Sequence, residues 1–389
     1  MNFKNIGIMI LKIILFLITS FLTFWLSIGL YFSRLNKLFY LAIFIIFIIL
    51  SIGIWTKKNR TRKKLLITGT ILIFSTIFSV FVVIKYEEKL QIKELSSRDI
   101  LIDYAPFKET SKVAKLNNES SLKLKENLPV LDGATALFPV YSAFYEAVYP
   151  KEKVDIYSSQ SSIQCSKTGK AYDRLLNGEV DIIFVAGPSQ KQIDAFKEKG
   201  IETIFTPIGK EAFVFFVNKS NKVNSLTEEE IKSIYSGKIK NWKEVGGKSK
   251  KIKAYQRNEG SGSQSALEMF MKDIPIETPD KEKLVDLMSG IIYRVASYRN
   301  TNNAIGFTFR FYSLEMLNEK NIKHLSINGI EPTIENISKE KYPVTNVFYA
   351  VTTKDKFDNN DNIEKLIQWI LSDEGQSLIE KTGYVPLEK

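Results

Sequence analysis

Arg257-Asn258-Glu259-Gly260-Ser261-Gly262-Ser263 is followed at once by Gln264–Met271, a stretch with apolar residues at helical spacing. A cation, a turn of small hydroxyl residues and a helix start stand here in one run. A helix N-terminus carries free N–H groups and a partial positive charge, and small residues let an anion come close to both. Ser and Thr are also ordinary N-caps, so such a turn alone reads first as a capped helix. Arg257 tips the reading towards a bound oxyanion, because a guanidinium can grip phosphate or carboxylate with two parallel hydrogen bonds.

Two further stretches share the pattern. Asp132-Gly133-Ala134-Thr135-Ala136-Leu137 precedes a helix containing Tyr141–Val148, and Ser166-Lys167-Thr168-Gly169 opens a helix over Gly169–Asn177. Around them, Val180–Ala186, Ala212–Val217, Ala304–Phe309 and Val347–Thr352 are short apolar runs bounded by turns, which predicts buried strands. Thr227–Tyr235 and Ile363–Leu371 have helical period, and Thr227 with Glu230 forms a capping box ended by Gly237. The alternation predicts an α/β domain in which three helix starts meet around a small oxyanion.

Charge divides the 389 residues sharply. Of the 54 Lys and Arg, eleven fall before Tyr86, where there is no Asp or Glu, so the remaining 43 bases face 43 acids. A neutral remainder offers no basic footprint for a nucleic acid, despite the net charge of +11. Ile13–Phe32, Leu38–Thr56 and Leu65–Ile84 are uncharged and each runs close to the roughly 20 residues that cross a bilayer core, so residues 1–86 read as three transmembrane helices. Lys57, Lys58, Arg60, Arg62, Lys63 and Lys64 crowd the second loop, which places that loop and the N-terminus in the cytoplasm and everything after Tyr86 outside. Residues 87–127, rich in Lys, Glu, Ser and Asn, read as an extracytoplasmic stalk. Residues 128–389 form the folded outer domain.

Composition also limits the chemistry. One His (His324) and one Cys (Cys165) exclude His/Cys zinc sites, iron–sulfur clusters, Cys–His dyads and an internal disulfide. His324 reads as a strand-edge or surface residue and Cys165 as a small packed side chain. Lys-Thr-Gly at 167–169 and 381–383 and Ser120-Ser-Leu-Lys123 echo penicillin-interacting enzymes, but the third element of that set is missing. Gly169-Lys170 lacks the rest of a P-loop. No catalytic motif is complete, and no cofactor or metal is expected.

Asp132-Gly-Ala-Thr-Ala-Leu-Phe-Pro139, Arg257-Asn-Glu-Gly-Ser-Gly-Ser263, Ile234-Tyr-Ser-Gly-Lys-Ile-Lys-Asn-Trp-Lys-Glu-Val-Gly-Gly247 and Asn303-Ala-Ile-Gly-Phe307 together resemble the PstS-like phosphate-binding proteins of phosphate ABC importers, which are type 2 periplasmic-binding proteins. The resemblance spans about Leu128 to Leu387. It implies two α/β lobes joined by two crossovers, lobe one over 128–206 plus 306–389 and lobe two over 207–305. It also implies phosphate contacts at Thr135, Ala136, Leu137, Ser166, Arg257, Ser261, Gly262 and Ser263, with Glu259 holding Arg257 in place and Gly169 supporting the second loop. One departure stands out. Family members carry a buried Asp in a Ser-Asp-Ala-Pro stretch that accepts a hydrogen bond from protonated phosphate, and here Ala186 occupies that place within Asp181–Pro188.

Two functions follow as expectations. In one, a membrane-anchored extracytoplasmic domain captures inorganic phosphate, or a related oxyanion, for an ABC importer permease. In the other, the same domain is a membrane-tethered sensor or scaffold without transport. The abundance of Lys, Ile and Asn suits a low-GC Gram-positive bacterium.

Overall fold

A computed structural model describes residues 97–297, 300 and 303–387, together with isolated positions between Met9 and Phe78. The chain divides into two compact units, Met1–Gln91 and Ile92–Lys389. The three apolar stretches expected to cross a membrane lie for the most part outside the described residues. Among the described residues no helix is long and apolar enough to span a bilayer.

The second unit is α/β. In order it contains α1 (Ser97–Ile102), β1 (Leu131–Gly133), α2 (Phe138–Val148), α3 (Thr168–Leu176), β2 (Ile182–Ala186), α4 (Gln190–Glu198) and the long β3 (Thr203–Asn218). Next come β4 (Ser225–Leu226), α5 (Glu228–Tyr235), β5 (Lys253–Ala254), β6 (Gln256–Arg257), α6 (Gly262–Met271), β7 (Leu284–Val285), α7 (Met288–Ala296) and β8 (Ala304–Phe309). The chain closes with β9 (Ile322–His324), β10 (Ser326–Ile327), α8 (Ile334–Ser338), β11 (Thr345–Thr353), α9 (Lys354–Asn359), α10 (Asp361–Leu371) and α11 (Asp373–Thr382). The capping box foreseen at Thr227 and Glu230 opens α5, and Gly237 takes the left-handed φ of 75° just past its end.

One sheet runs through both lobes in the order β1-β2-β11-β3-β8-β5, with β9 also on β3. Its axis is β3. The first half of that 16-residue strand pairs antiparallel with β11 from Thr203 to Ala212, and its second half pairs antiparallel with β8 from Phe213 to Val217. Phe213 packs on Phe307 at 5.4 Å between ring centres and edge-on to Phe309 at 5.8 Å, so burial of the aromatic face fixes the second half beside β8. Gly133 is required where β1 meets β2, because a Cβ there would stand 2.4 Å from the Phe184 carbonyl oxygen.

Two boundaries differ from expectation. A cut at residue 306 would split β8, which lies wholly on the second half of β3. β9 joins that half too, and β10 pairs with β4. On the two-lobed reading, lobe two would then run from about Phe213 to Val344, with β11 as the return crossover.

The stalk expected over 87–127 is not a stalk from Ser97 onward. Ile100, Leu101, Tyr104, Ala105, Val113 and Leu124 are buried in the core of the unit. Ser142 Oγ donates to the Tyr104 carbonyl at 2.6 Å, Leu124 N donates to Val148 O at 2.8 Å, and Phe107 N donates to Glu146 at 2.9 Å. Ser121 donates to the Glu374 carboxylate through both N (3.0 Å) and Oγ (2.9 Å). Lys381 Nζ donates to Lys115 O and Asn117 Oδ1 at 3.1 and 2.7 Å. The scattered apolar residues that looked too sparse to fold alone find their partners on α2, α10 and α11.

Candidate functional site

The first loop leaves β1 at Gly133 and makes a single 3-10 turn, Thr135–Leu137, before α2. Thr135, Ala136 and Leu137 are all buried, and α2 begins with no side-chain cap. The loop is tied from behind by the Tyr384 hydroxyl, which donates to Ala136 O.

The second loop is organised by an acid that the sequence reading treated only as part of a turn. Asp132 is completely buried. It accepts from Arg174 Nη1 at 2.6 Å, from Ser166 N at 2.7 Å and from Ser166 Oγ at 2.7 Å. Ser166, expected to donate to a ligand, spends both donors on this carboxylate. These two bonds hold the loop to the end of β1. Lys167 follows with φ 74° and ψ 158°, a backbone conformation L residues rarely adopt. α3 then begins at Thr168, also without a side-chain cap, so its first N–H groups are free of side-chain partners.

The third loop presents Arg257, which is 6% exposed. Its Nε donates to Val285 O at 2.9 Å, Nη2 to Asp286 O at 2.8 Å and Nη1 to Ser263 Oγ at 3.3 Å. Among the described residues no carboxylate pairs with it. Glu259, expected to hold it in place, is exposed, and backbone carbonyls after α6 do that work instead. Burial lowers the Arg257 pKa to about 10, so the cation persists at neutral pH. Ser261 is the N-cap of α6, accepting from Gln264 N at 3.3 Å. Ser263 is fully buried and touches Arg257.

Loops two and three meet across the lobes. A Cβ on Gly262 would lie 2.8 Å from Thr168 Oγ1, and one on Gly169 would lie 3.2 Å from the Gly260 carbonyl oxygen. The starts of α3 and α6 therefore face each other at contact distance, with only glycines between. Loop one meets the second loop at a cavity of about 20 Å³ whose walls include Ala134, Ala136, Leu137, Thr168, Ala186 and Glu211. That space holds about one water.

Glu211 was not singled out from the sequence, and Thr168 only as part of the second loop. Glu211 is 4% exposed and accepts from Ala212 N at 3.0 Å and Phe311 N at 3.4 Å. Burial pushes its carboxyl up to about 8, while Arg310 pulls it down less strongly. A charged residue heading the apolar run Ala212–Val217 was the available signal. Cys165 lies beside the cluster, its Sγ 3.9 Å from Thr135 Oγ1, and burial pushes its thiol up to about 12, which makes it an inert packed group. His324 ends β9 against Ser313 Oγ at 2.8 Å, and burial lowers it to about 4. Among the described residues no three His, Cys, Asp or Glu side chains cluster as metal ligands would.

The model of the PBP superfamily domain matches residues 126–374. The chain belongs to the PBP superfamily. Among relatives of this PBP-superfamily chain, the phosphate-binding protein PstS of Staphylococcus saprophyticus is 30% identical over 269 residues, which is 66% of this chain and 80% of that one. The phosphate-binding protein PstS of Borreliella burgdorferi is 24% identical over 68% of this chain and 91% of its own. A solved structure of a putative phosphate ABC transporter substrate-binding protein with bound phosphate from Clostridium perfringens shares the PBP fold at a TM-score of 0.51 and 23% identity, covering 66% of this chain and 98% of that one. These relatives are named as binding proteins.

Proposed function

We propose that the Ile92–Lys389 unit captures inorganic phosphate between its lobes and presents it to the permease of an ABC importer. The observation that carries this reading is the buried Arg257 cation, which has three donors engaged by neutral oxygens and, among the described residues, no ion pair with a carboxylate, Asp286 acting on it only at a distance. A charge taken from water into such a site is tolerated when a counter-ion arrives to share it. Ser263 touches that charge, Thr168 comes up against Gly262 at the start of α6, and the uncapped starts of α2 and α3 add free N–H groups suited to an oxyanion if the three loops close on it. The names of the relatives supply phosphate as the first candidate.

Calorimetric titration of the purified full chain with phosphate and with sulfate tests the ligand. Tight phosphate binding supports the reading, and no binding of either anion sinks it. Ala186 leaves the cleft without the acceptor that favours protonated anions, so sulfate is expected to compete more strongly than in relatives that carry Asp there.

Anchoring belongs to the same proposal. The three uncharged stretches before Tyr86 and the basic loop Lys57–Lys64 support a multi-pass anchor with the binding unit outside the cell. Added protease should then degrade the unit on intact cells; its survival there, with digestion only after lysis, would overturn that orientation. Loss of phosphate uptake at limiting supply on deletion of the gene would support transport, and unchanged uptake would count against it.

A further inference from the structure

Asn346 on β11 stands directly opposite Glu211 on β3, and in an antiparallel pair residues so placed put their side chains on the same face of the sheet. Both line the cavity of about 20 Å³ described above, whose walls also take in Ala136, Thr168, Ala186 and Met288. The cavity borders on the Arg257 turn from two sides. Thr168, one wall, meets Gly262 so closely that a Cβ there would stand 2.8 Å from Thr168 Oγ1. Met288, another wall, follows shortly after Asp286, whose carbonyl oxygen accepts from Arg257 Nη2 at 2.8 Å.

Asn346 Nδ2 is shut off from solvent and, among the described residues, donates to nothing. A buried donor left unpaired destabilises the fold, so one that persists on the wall of a cavity is suited to an acceptor that arrives from outside. Its neighbour across the strands is already engaged, since Glu211 accepts from Ala212 N at 3.0 Å and Phe311 N at 3.4 Å. Burial keeps the proton on Glu211 up to about pH 8, against the weaker pull of Arg310, so at neutral pH this wall carries little negative charge. Ala186 adds only a methyl. A space for about one water is also a space for one oxygen atom of an oxyanion entering from the Arg257 side.

We propose that Asn346 helps to determine which oxyanion the site accepts: one oxygen of the anion held by Arg257 enters this cavity, and Asn346 Nδ2 donates a hydrogen bond to it beside the methyl of Ala186. The inference rests on the oxyanion reading above and deepens it. Because the group that Asn346 turns to the ligand is a donor, a fully ionised anion such as sulfate satisfies it as well as a protonated phosphate does. An acid at the same place would accept the proton of phosphate and repel sulfate.

The test titrates the full chain with inorganic phosphate and with sulfate at neutral pH, as the parent, Asn346→Leu, Asn346→Ala, Asn346→Asp and Arg257→Ala, with a ligand-free melting curve for each. Asn346→Leu and Asn346→Ala are expected to lose about tenfold or more in affinity for both anions, because each forfeits a bond to a charged acceptor. The ligand-free Tm of at least one of them should match or exceed the parent's, since an unpaired donor has been removed. Asn346→Asp should weaken sulfate binding by about tenfold more than phosphate binding. Parent-like affinity in both apolar variants overturns the inference. So does an Asn346→Asp that weakens both anions equally, or a parent that takes phosphate and excludes sulfate. Lost affinity accompanied by a lowered ligand-free Tm in both apolar variants would mark Asn346 as structural and overturn it as well. If the parent binds neither anion, or Arg257→Ala binds as the parent does, the oxyanion reading itself fails and this inference falls with it. A parent that binds and an Arg257→Ala that does not confine any failure to Asn346.

Discussion

Arg174 and Asp132 form an ion pair 2.6 Å long in which the carboxylate is wholly inaccessible and the guanidinium nearly so. The same carboxylate takes both donors of Ser166, so one buried charge joins the end of β1, the second loop and the body of α3. Arg174 also reaches Gln164 Oε1 at 2.6 Å and Glu179 at 3.1 Å. Removing one member of such a set strands the other. Asp132→Ala is expected to lower stability by about 3–5 kcal/mol, read as a fall in the denaturation midpoint, and to weaken ligand binding through loss of the loop. A variant as stable as the parent would show that the pair contributes little.

Arg257→Ala should weaken phosphate binding more than Ser263→Ala does. The first substitution removes the cation of the site and the second only a hydroxyl beside it. Equal losses in a titration would mean that Arg257 is not at the centre of the site.

Glu211 gives stability a pH dependence whose sign is fixed by its burial. The folded state holds its proton up to about pH 8, against an ordinary carboxyl value of 4.5, so the folded state binds the proton more tightly than the unfolded chain. Its contribution is complete below about pH 4.5 and declines as pH rises to about 8. Glu211→Gln should flatten this part of the profile of Tm against pH. A variant with the parent's slope would assign the dependence to other groups.

Lys167→Gly should raise stability by about 1 kcal/mol, because glycine adopts φ 74°, ψ 158° without the clash a Cβ imposes. A fall in Tm would show that the lysine side chain compensates for its backbone.

Gly262→Ala should cost affinity with little change in Tm. The added methyl would stand 2.8 Å from Thr168 Oγ1, so the lobes would meet less closely while each kept its core. Unimpaired phosphate affinity would mean that this contact is not made in the bound state.

The elements were legible where burial is continuous. Ala304–Phe309 is a strand with the bounds its apolar run suggested, and the helix around Gln264–Met271 begins two residues earlier because Gly262 and Ser263 form its first turn. Strand partnership was not legible. β8 follows its partner on β3 by about 90 residues, and nothing local says that Phe309 faces Phe213. The segment after Ser97 has no period of its own because its apolar residues are chosen by the surface they land on. In the site, the glycines and Arg257 announced themselves by type and spacing. Asp132 and Arg174 are 42 residues apart and only the fold makes them a pair, while Glu259 looked like a partner for Arg257 through proximity in sequence alone.

The clasp between residues 97–127 and lobe one has a mechanical consequence. Ser121 on Glu374 and Lys381 on Lys115 and Asn117 ground lobe one to the chain that leads back towards the N-terminus, whereas lobe two is suspended from β3 and β11. Lobe one is the stator and lobe two the rotor. If the lobes open and close as the proposed capture requires, the movement would be a twist of two paired strands acting as one torsion spring, with the register shift between Phe348 and Tyr349 lying along it.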